Sequence, residues 1–209
     1  MIFYDCLTAP SPRRARILLA EKQAPHEVVN IDLMTGEQMG EEFKLINPSS
    51  TVPALKLDDG TVLTENSGIA AYLESAFPNP PMLGSTDAEK GLVATWNSKV
   101  EFEGLYAVAE TLRNSAPMMK GRAITGPKNY DQIPELAKRG FERSNVFLDQ
   151  LNERLEGRDY IAIDEFSYAD ITAAVVVDFA YVVKVTPKPE HENILRWRAN
   201  LAKRPSFAA

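Results

Sequence analysis

The stretch NPSSTVPALKLDDGTVLTENSGIAAYLE, residues 47–74, sets the architecture of the chain because it reverses direction and then changes periodicity. Pro48 ends any helix that precedes it, since proline has no N–H to continue the helical bonding. VPALKLDDGTVLTE then reads as two short strands joined at Asp59-Gly60, the strongest local hairpin signal in the chain. NSGIAAYLESAF follows with helical spacing and stops at the proline-rich PNPPMLGS, residues 78–85.

Upstream of Pro48, IFYD is a short apolar strand, PRRARILLAEK has helical spacing and HEVVNID is strand-like again, which together make a βαβ unit. GEQMGEEFKLIN, residues 36–47, is predicted as one helix with Phe43, Leu45 and Ile46 on its apolar side. Residues 1–78 thus read as an α/β domain of order β-α-β-α-β-β-α, and residues 79–86 as a linker. Downstream the strand signals fade. Helical periodicities at 87–114, 134–156, 168–184 and 191–203 predict an all-helical domain over residues 87–209. Within it FSYADI carries a helix start: Ser167 can cap free amides, Asp170 can reach back, and Phe166 can pack on Ile171.

The composition narrows the function. In 209 residues, 44% hydrophobic and 25% charged is ordinary for a globular chain, and the net charge of −6 argues against a general binder of nucleic acid or anionic membranes. No apolar run approaches the roughly 20 residues that cross a bilayer. MIFYDCLTAP has no basic region followed by an apolar stretch, so a cytoplasmic location is expected. Cys6 is the only cysteine and cannot form an internal disulfide. His26 and His191 lie too far apart in sequence for metal-ligand spacing, so no metal is expected.

The order of elements and four local motifs resemble the cytosolic glutathione transferases. NPSSTVPALK matches the first motif, with Val52-Pro53 in the place of a cis-proline dipeptide that opens the third strand. LTENSGIAAYLE matches the second, with Glu65-Asn66 where the family usually has Glu-Ser. SYADI corresponds to a capped helix of the second domain, and LRWRANLAKRPSF is similar to the terminal helix. The resemblance implies the glutathione transferase fold: a thioredoxin-like α/β domain followed by an all-α domain.

It also implies a co-substrate, glutathione, and positions for it. The Val52 peptide groups beside Pro53 would pair with the cysteinyl backbone as an added strand. Glu65 would meet the ligand's ammonium, and the amides near Asn66 and Ser67 would meet its carboxylate. Asn66 can donate through its amide where a serine would use a hydroxyl. Gln38 is a neutral donor for the glycyl end or, equally, part of a solvated turn.

Relatives of thioredoxin type carry Cys-Pro-x-Cys at the junction of the first strand and helix, and here Ala9-Pro10-Ser11-Pro12 matches it, with no thiol at either cysteine position. Cys6 lies upstream, where a buried structural cysteine is the commoner finding. Ser11 is the first candidate to donate a hydrogen bond to the glutathione sulfur, with Pro12 opening the helix behind it; Thr8 is the second and Tyr4, inside the strand, the weakest. Arg13, Arg14 and Arg16 sit against the helix dipole. Either they pair with acids on the surface or a partner subunit, or one of them raises the positive potential around the sulfur.

The family's electrophile lies between its two domains, which directs attention to Phe102, Tyr106, Met118 and Met119, although aromatic and Met side chains at helical spacing suit a core as well. The implied activity is detoxifying conjugation of glutathione to a hydrophobic electrophile by a homodimer. Isomerisation, dehalogenation or ether cleavage would use the same residues, and a non-catalytic glutathione-binding scaffold is the third alternative.

Overall fold

The structure, a computed structural model, describes residues 1–208. It divides into two compact units, Met1–Pro80 with Thr125–Asn129, and Pro81–Ile124 with Tyr130–Ala208.

In the first unit β1 (Ile2–Asp5), α1 (Pro10–Glu21), β2 (Glu27–Asn30), α2 (Glu41–Lys44), β3 (Ala54–Lys56), β4 (Val62–Leu63) and α3 (Asn66–Ala76) follow one another. The sheet order is β2-β1-β3-β4. The β1 and β2 strands are parallel, as the intervening helix requires, and the other pairs are antiparallel. Phe3 pairs with Leu55, and both are fully buried along with Ile17 and Leu19 of α1 and Ile69 and Leu73 of α3. Each such side chain contributes about 1.5–3 kcal/mol by leaving water. The β3–β4 hairpin turns at Leu57–Gly60, where the Gly60 N–H donates to the Leu57 carbonyl at 3.0 Å and Gly60 takes φ +90°. A side chain there would be strained, which is why the Asp-Gly signal is informative. Lys22, buried at the end of α1, donates to Glu74 Oε2 at 2.5 Å and to the Pro80 carbonyl at 2.6 Å, tying α1, α3 and the end of the unit together.

Three expectations for this unit need correction. The helix expected over 36–47 is a 3-10 turn at Glu37–Met39 followed by the four-residue α2, because Gly40 between them is extended, with ψ 154°. Glycine loses the most entropy in a helix and breaks this one. Leu45 is 86% exposed and does not join Phe43 in the core. Helix α1 opens at Pro10 rather than Pro12, which makes Ala9 the N-cap and moves Ser11 inside the first turn.

The second unit holds α4 (Asp87–Lys99), α5 (Tyr106–Ser115), α6 (Pro134–Arg154), α7 (Tyr168–Phe179) and α8 (Glu192–Leu201). The run expected over 87–114 is continuous, but its middle, Val100–Leu105, is wound as a π-helix. The helix expected over 168–184 ends its α-helical part at Phe179 and tightens to a 3-10 turn over Ala180–Val183. Residues Tyr168–Val177 of α7 are all buried, as expected of a helix apolar on every side. Packing of α5 on α6 depends on Gly140, where a Cβ would lie 2.7 Å from the Ala107 carbonyl oxygen.

Candidate functional site

Strand register brings Val52 and Pro53 to the end of the sheet from which β1 leads into α1. Tyr4 of β1 pairs with Ala54 of β3 in antiparallel sense, so Pro53 and Val52 continue beyond the last pair toward Asp5 and Cys6. The Val52-Pro53 peptide bond is cis, and Val52 is half-exposed while Pro53 is buried. Asn47 braces the approach to it. Its side chain donates to the Thr51 carbonyl at 2.7 Å and accepts from the Ser49 N–H at 3.0 Å. This bracing role of Asn47 has no local signature in the sequence.

Helix α3 reaches the same place through one bond, from Asn66 Nδ2 to the Ser11 carbonyl at 3.1 Å. Asn66 is buried, and its Oδ1 has no hydrogen-bond partner. Its amide therefore already serves the start of α1, with one N–H and the carbonyl oxygen left over. Glu65 is the N-cap residue of α3 and is exposed. Gln38 Oε1 and Ser50 Oγ, buried in the same unit, also lack partners. An unpaired buried polar atom costs about 1–3 kcal/mol, so each invites a ligand. Ser50, at φ +54° two residues before Val52, escaped the sequence reading because nothing in a Ser-Ser pair announces a left-handed backbone.

The start of α1 is unusual in its donors. Ala9 offers no side-chain cap, and its own N–H is satisfied by the Cys6 carbonyl at 3.1 Å. Pro10 and Pro12 have no N–H. Ser11 thus supplies the one remaining amide of the first turn, and among the described residues neither that N–H nor its hydroxyl has a partner. Thr8 is exposed, with Oγ1 3.5 Å from Cys6 Sγ. Cys6 is buried just beyond β1, its N–H donating to Asp5 Oδ1 at 2.7 Å. Arg16 Nη1 donates to both oxygens of the fully buried Asp5, at 2.8 and 2.6 Å. That internal pair replaces the expected surface or intersubunit partner for Arg16 and neutralises its charge; Arg13 and Arg14 are engaged as well.

In the second unit Phe102, Tyr106 and Met118 are 65%, 67% and 70% exposed, so none belongs to the core. The Phe102 ring carries the Arg143 guanidinium 5.2 Å from its centroid, and its carbonyl accepts from Arg143 Nη2 at 2.7 Å. At the start of α7 Asp170 is buried and accepts from the Ser167 N–H and hydroxyl, the Ile161 N–H and the Trp197 indole. Burial pushes its pKa up to about 6 despite those donors. Among the described residues there is no group of three or more His, Cys, Asp or Glu side chains arranged for a metal, and no helix is long and apolar enough to cross a membrane.

Comparison with known proteins bears on the family and the fold. The family model for the glutathione S-transferase N-terminal domain matches residues 8–76, and that for the C-terminal domain matches residues 114–205. Glutathione S-transferase 2 of Saccharomyces cerevisiae is 35% identical over 209 residues, covering 99% of this chain and 87% of the relative. Among solved structures, a glutathione S-transferase domain-containing protein of Marinobacter aquaeolei VT8 superposes with a TM-score of 0.90 at 34% identity, covering 99% of this chain and 100% of the other. Gtt2 of Saccharomyces cerevisiae gives the same TM-score of 0.90 and 34% identity, over 100% of this chain and 99% of its own.

Proposed function

This chain belongs to the glutathione S-transferase family, and we propose that it binds glutathione at the sheet end of its first unit and adds the sulfur to a hydrophobic electrophile, with Ser11 serving the thiolate. The observation that carries the assignment is the free hydroxyl and free N–H of Ser11 at a helix start stripped of its other amides. Both donors can converge on one anion, where a helix N-terminus also favours negative charge.

A free thiol has a pKa of about 8.5, and lowering it by roughly two units takes about 2.7 kcal/mol of preference for the thiolate. Two charge-assisted hydrogen bonds are of that size. The thiol proton leaves to solvent, the sulfur lone pair forms the C–S bond, and the electron pair of the broken bond goes with the leaving group or to the adjacent atom. Catalysis is then positioning plus stabilisation of charge.

In this reading the Val52 backbone pairs with the cysteinyl residue, Glu65 holds the ammonium, the amides near Asn66 and Ser67 take the γ-glutamyl carboxylate, and Gln38 receives the glycyl end. The unpartnered Gln38 and Asn66 oxygens are acceptors and suit N–H donors of the ligand, its ammonium and amides, rather than its carboxylates. Phe102, Tyr106 and Met118 would contact the electrophile, which their exposure favours over a core role. A homodimer in the cytoplasm completes the proposal.

The test is glutathione-affinity retention followed by turnover of a halonitroarene, an epoxide, an organic hydroperoxide and a disulfide by wild type, Ser11→Ala and Cys6→Ala. Retention with turnover that collapses only in Ser11→Ala is expected. Absence of both retention and turnover would sink the enzymatic reading.

A further inference from the structure

Thr125–Asn129 stand in the sequence among the helices but pack with the first unit. They are the tip of a loop that is closed at its neck. The Ala123 N–H donates to the Tyr130 carbonyl at 3.1 Å, and the Tyr130 N–H to the Gly121 carbonyl at 3.0 Å. Arg113 Nη1 ties the same neck to α5 by donating to the Arg122 carbonyl at 2.9 Å. A loop with bonded ends and a short tip is a built element of the fold.

The tip lies on the turn that leads into Val52-Pro53. Its contact residue is Gly126, where a Cβ would sit 3.7 Å from the Ser49 carbonyl oxygen. Gly126 has φ +118°, a conformation that side chains disfavour, so the path of the tip over Ser49 depends on glycine.

That turn needs to be held. Ser50 has φ +54°, which for a non-glycine residue costs about a tenfold shift in equilibrium. Its hydroxyl is buried without a partner and does nothing to fix the conformation. Asn47 supplies one hold: its Oδ1 accepts from the Ser49 N–H at 3.0 Å, its carbonyl accepts from the Ser50 N–H at 2.9 Å, and its Nδ2 donates to the Thr51 carbonyl at 2.7 Å. The tip adds a second hold at the Ser49 carbonyl, which Asn47 does not bond.

We propose that the tip is a positioning strap for glutathione: by packing on Ser49 it keeps Ser50 left-handed and so presents the Val52 backbone, two residues on, to the ligand. Gly126 is the positioning residue, and it acts through Ser50 and Val52. This deepens the glutathione reading and rests on it. A chain that turns the other way at Ser50 redirects the peptide groups after it, and a ligand that pairs with Val52 as an added strand needs those groups in register.

The test shortens the strap in the full chain, with Gly-Gly in place of Thr125–Asn129, and reads two quantities. Amide exchange at Ser49 and Ser50, followed by NMR, should be about tenfold faster than in wild type because the turn opens more often. Glutathione affinity measured by calorimetry should fall about tenfold. In a Ser50→Gly background the same shortening should change either quantity by less than about threefold, since glycine takes the left-handed conformation without the cost. Gly126→Val, in a chain of natural length, should show the same losses and the same dependence on residue 50, which covers the case of a shortened loop that fails to fold. Shortening that leaves exchange and affinity unchanged, or losses equally large in the Ser50→Gly background, overturns the strap. Exchange that responds as stated, in a protein that binds no glutathione even as wild type, keeps the hold on the turn and removes the glutathione reading instead.

Discussion

At the start of α7 one buried carboxylate, Asp170, collects four donors, whereas at the start of α1 the N-cap is an alanine and prolines occupy two of the first three helical positions. Both are helix N-termini with the same shortage of backbone partners. At α7 the Ser167 amide goes to the Asp170 side chain, which also takes the Trp197 indole of α8, and the Tyr168 amide goes to the Met82 carbonyl, whereas among the described residues the Ser11 amide and hydroxyl at α1 stay free. A closed start spends its donors on the fold. An open one keeps them for a ligand, and here the prolines ensure that the donors left belong to a single residue.

Breaking the closed start gives the largest expected effect. Asp170→Ala removes the acceptor of the Ile161 and Ser167 amides and of the Trp197 indole, all buried, and should destabilise the protein by about 4 kcal/mol in urea unfolding. Asp170→Asn tests its charge. A carboxyl whose folded pKa is raised from 3.8 to about 6 lends stability that is complete below pH 4 and lost as pH rises through 6. Relative to wild type, the Asn variant should therefore gain about 3 kcal/mol between pH 3 and pH 8. A gap that stays constant with pH would show that Asp170 ionises normally.

Next in size is loss of the hydroxyl at the open start. Ser11→Ala should lower kcat about 100-fold, in the range seen for removal of one anion-stabilising donor. The pH titration of bound thiolate, followed by its ultraviolet absorbance, should move up by one to two units. Unfolding free energy should stay within about 0.5 kcal/mol of wild type, since the hydroxyl has no partner in the fold. A variant that loses stability and activity in parallel would make Ser11 structural.

The closed start was legible in the sequence and the open one only in part, for physical reasons. Ser167-x-x-Asp170 is a contiguous pattern whose chemistry is local, so Asp170 could be expected to reach back. Its bonds to Ile161 and Trp197 are not local and could not. At α1, Pro12 looked like the opening proline because Ser11 before it is a good cap residue. The structure opens at Pro10 instead, with the uncapped Ala9 before it. The α/β and all-α layout followed from periodicity and the Asp59-Gly60 hairpin. The break at Gly40 and the π-helical Val100–Leu105 depend on packing and left no periodic signal. Ser50 left no sequence signal because burial without a partner is a property of three-dimensional neighbours.

The comparison sharpens if the open start is closed by design. Ala9→Asp supplies a cap acceptor, and because Pro12 has no N–H, the amide it would take is that of Ser11. Stability should rise by about 1 kcal/mol. The same change should raise the pKa of bound glutathione and lower kcat about tenfold, because the cap competes with the sulfur for the amide and adds a negative charge beside it. A gain in stability at unchanged activity would mean that the Ser11 amide takes no part. The smallest effects belong to the neighbours: Thr8→Ala and Cys6→Ala give up only a 3.5 Å sulfur-hydroxyl contact and a small buried thiol. Each should leave kcat within about threefold of wild type, a change of about 0.65 kcal/mol in the barrier. If Thr8→Ala alone reproduces the loss expected for Ser11→Ala, the thiolate sits over the strand end rather than over the helix start.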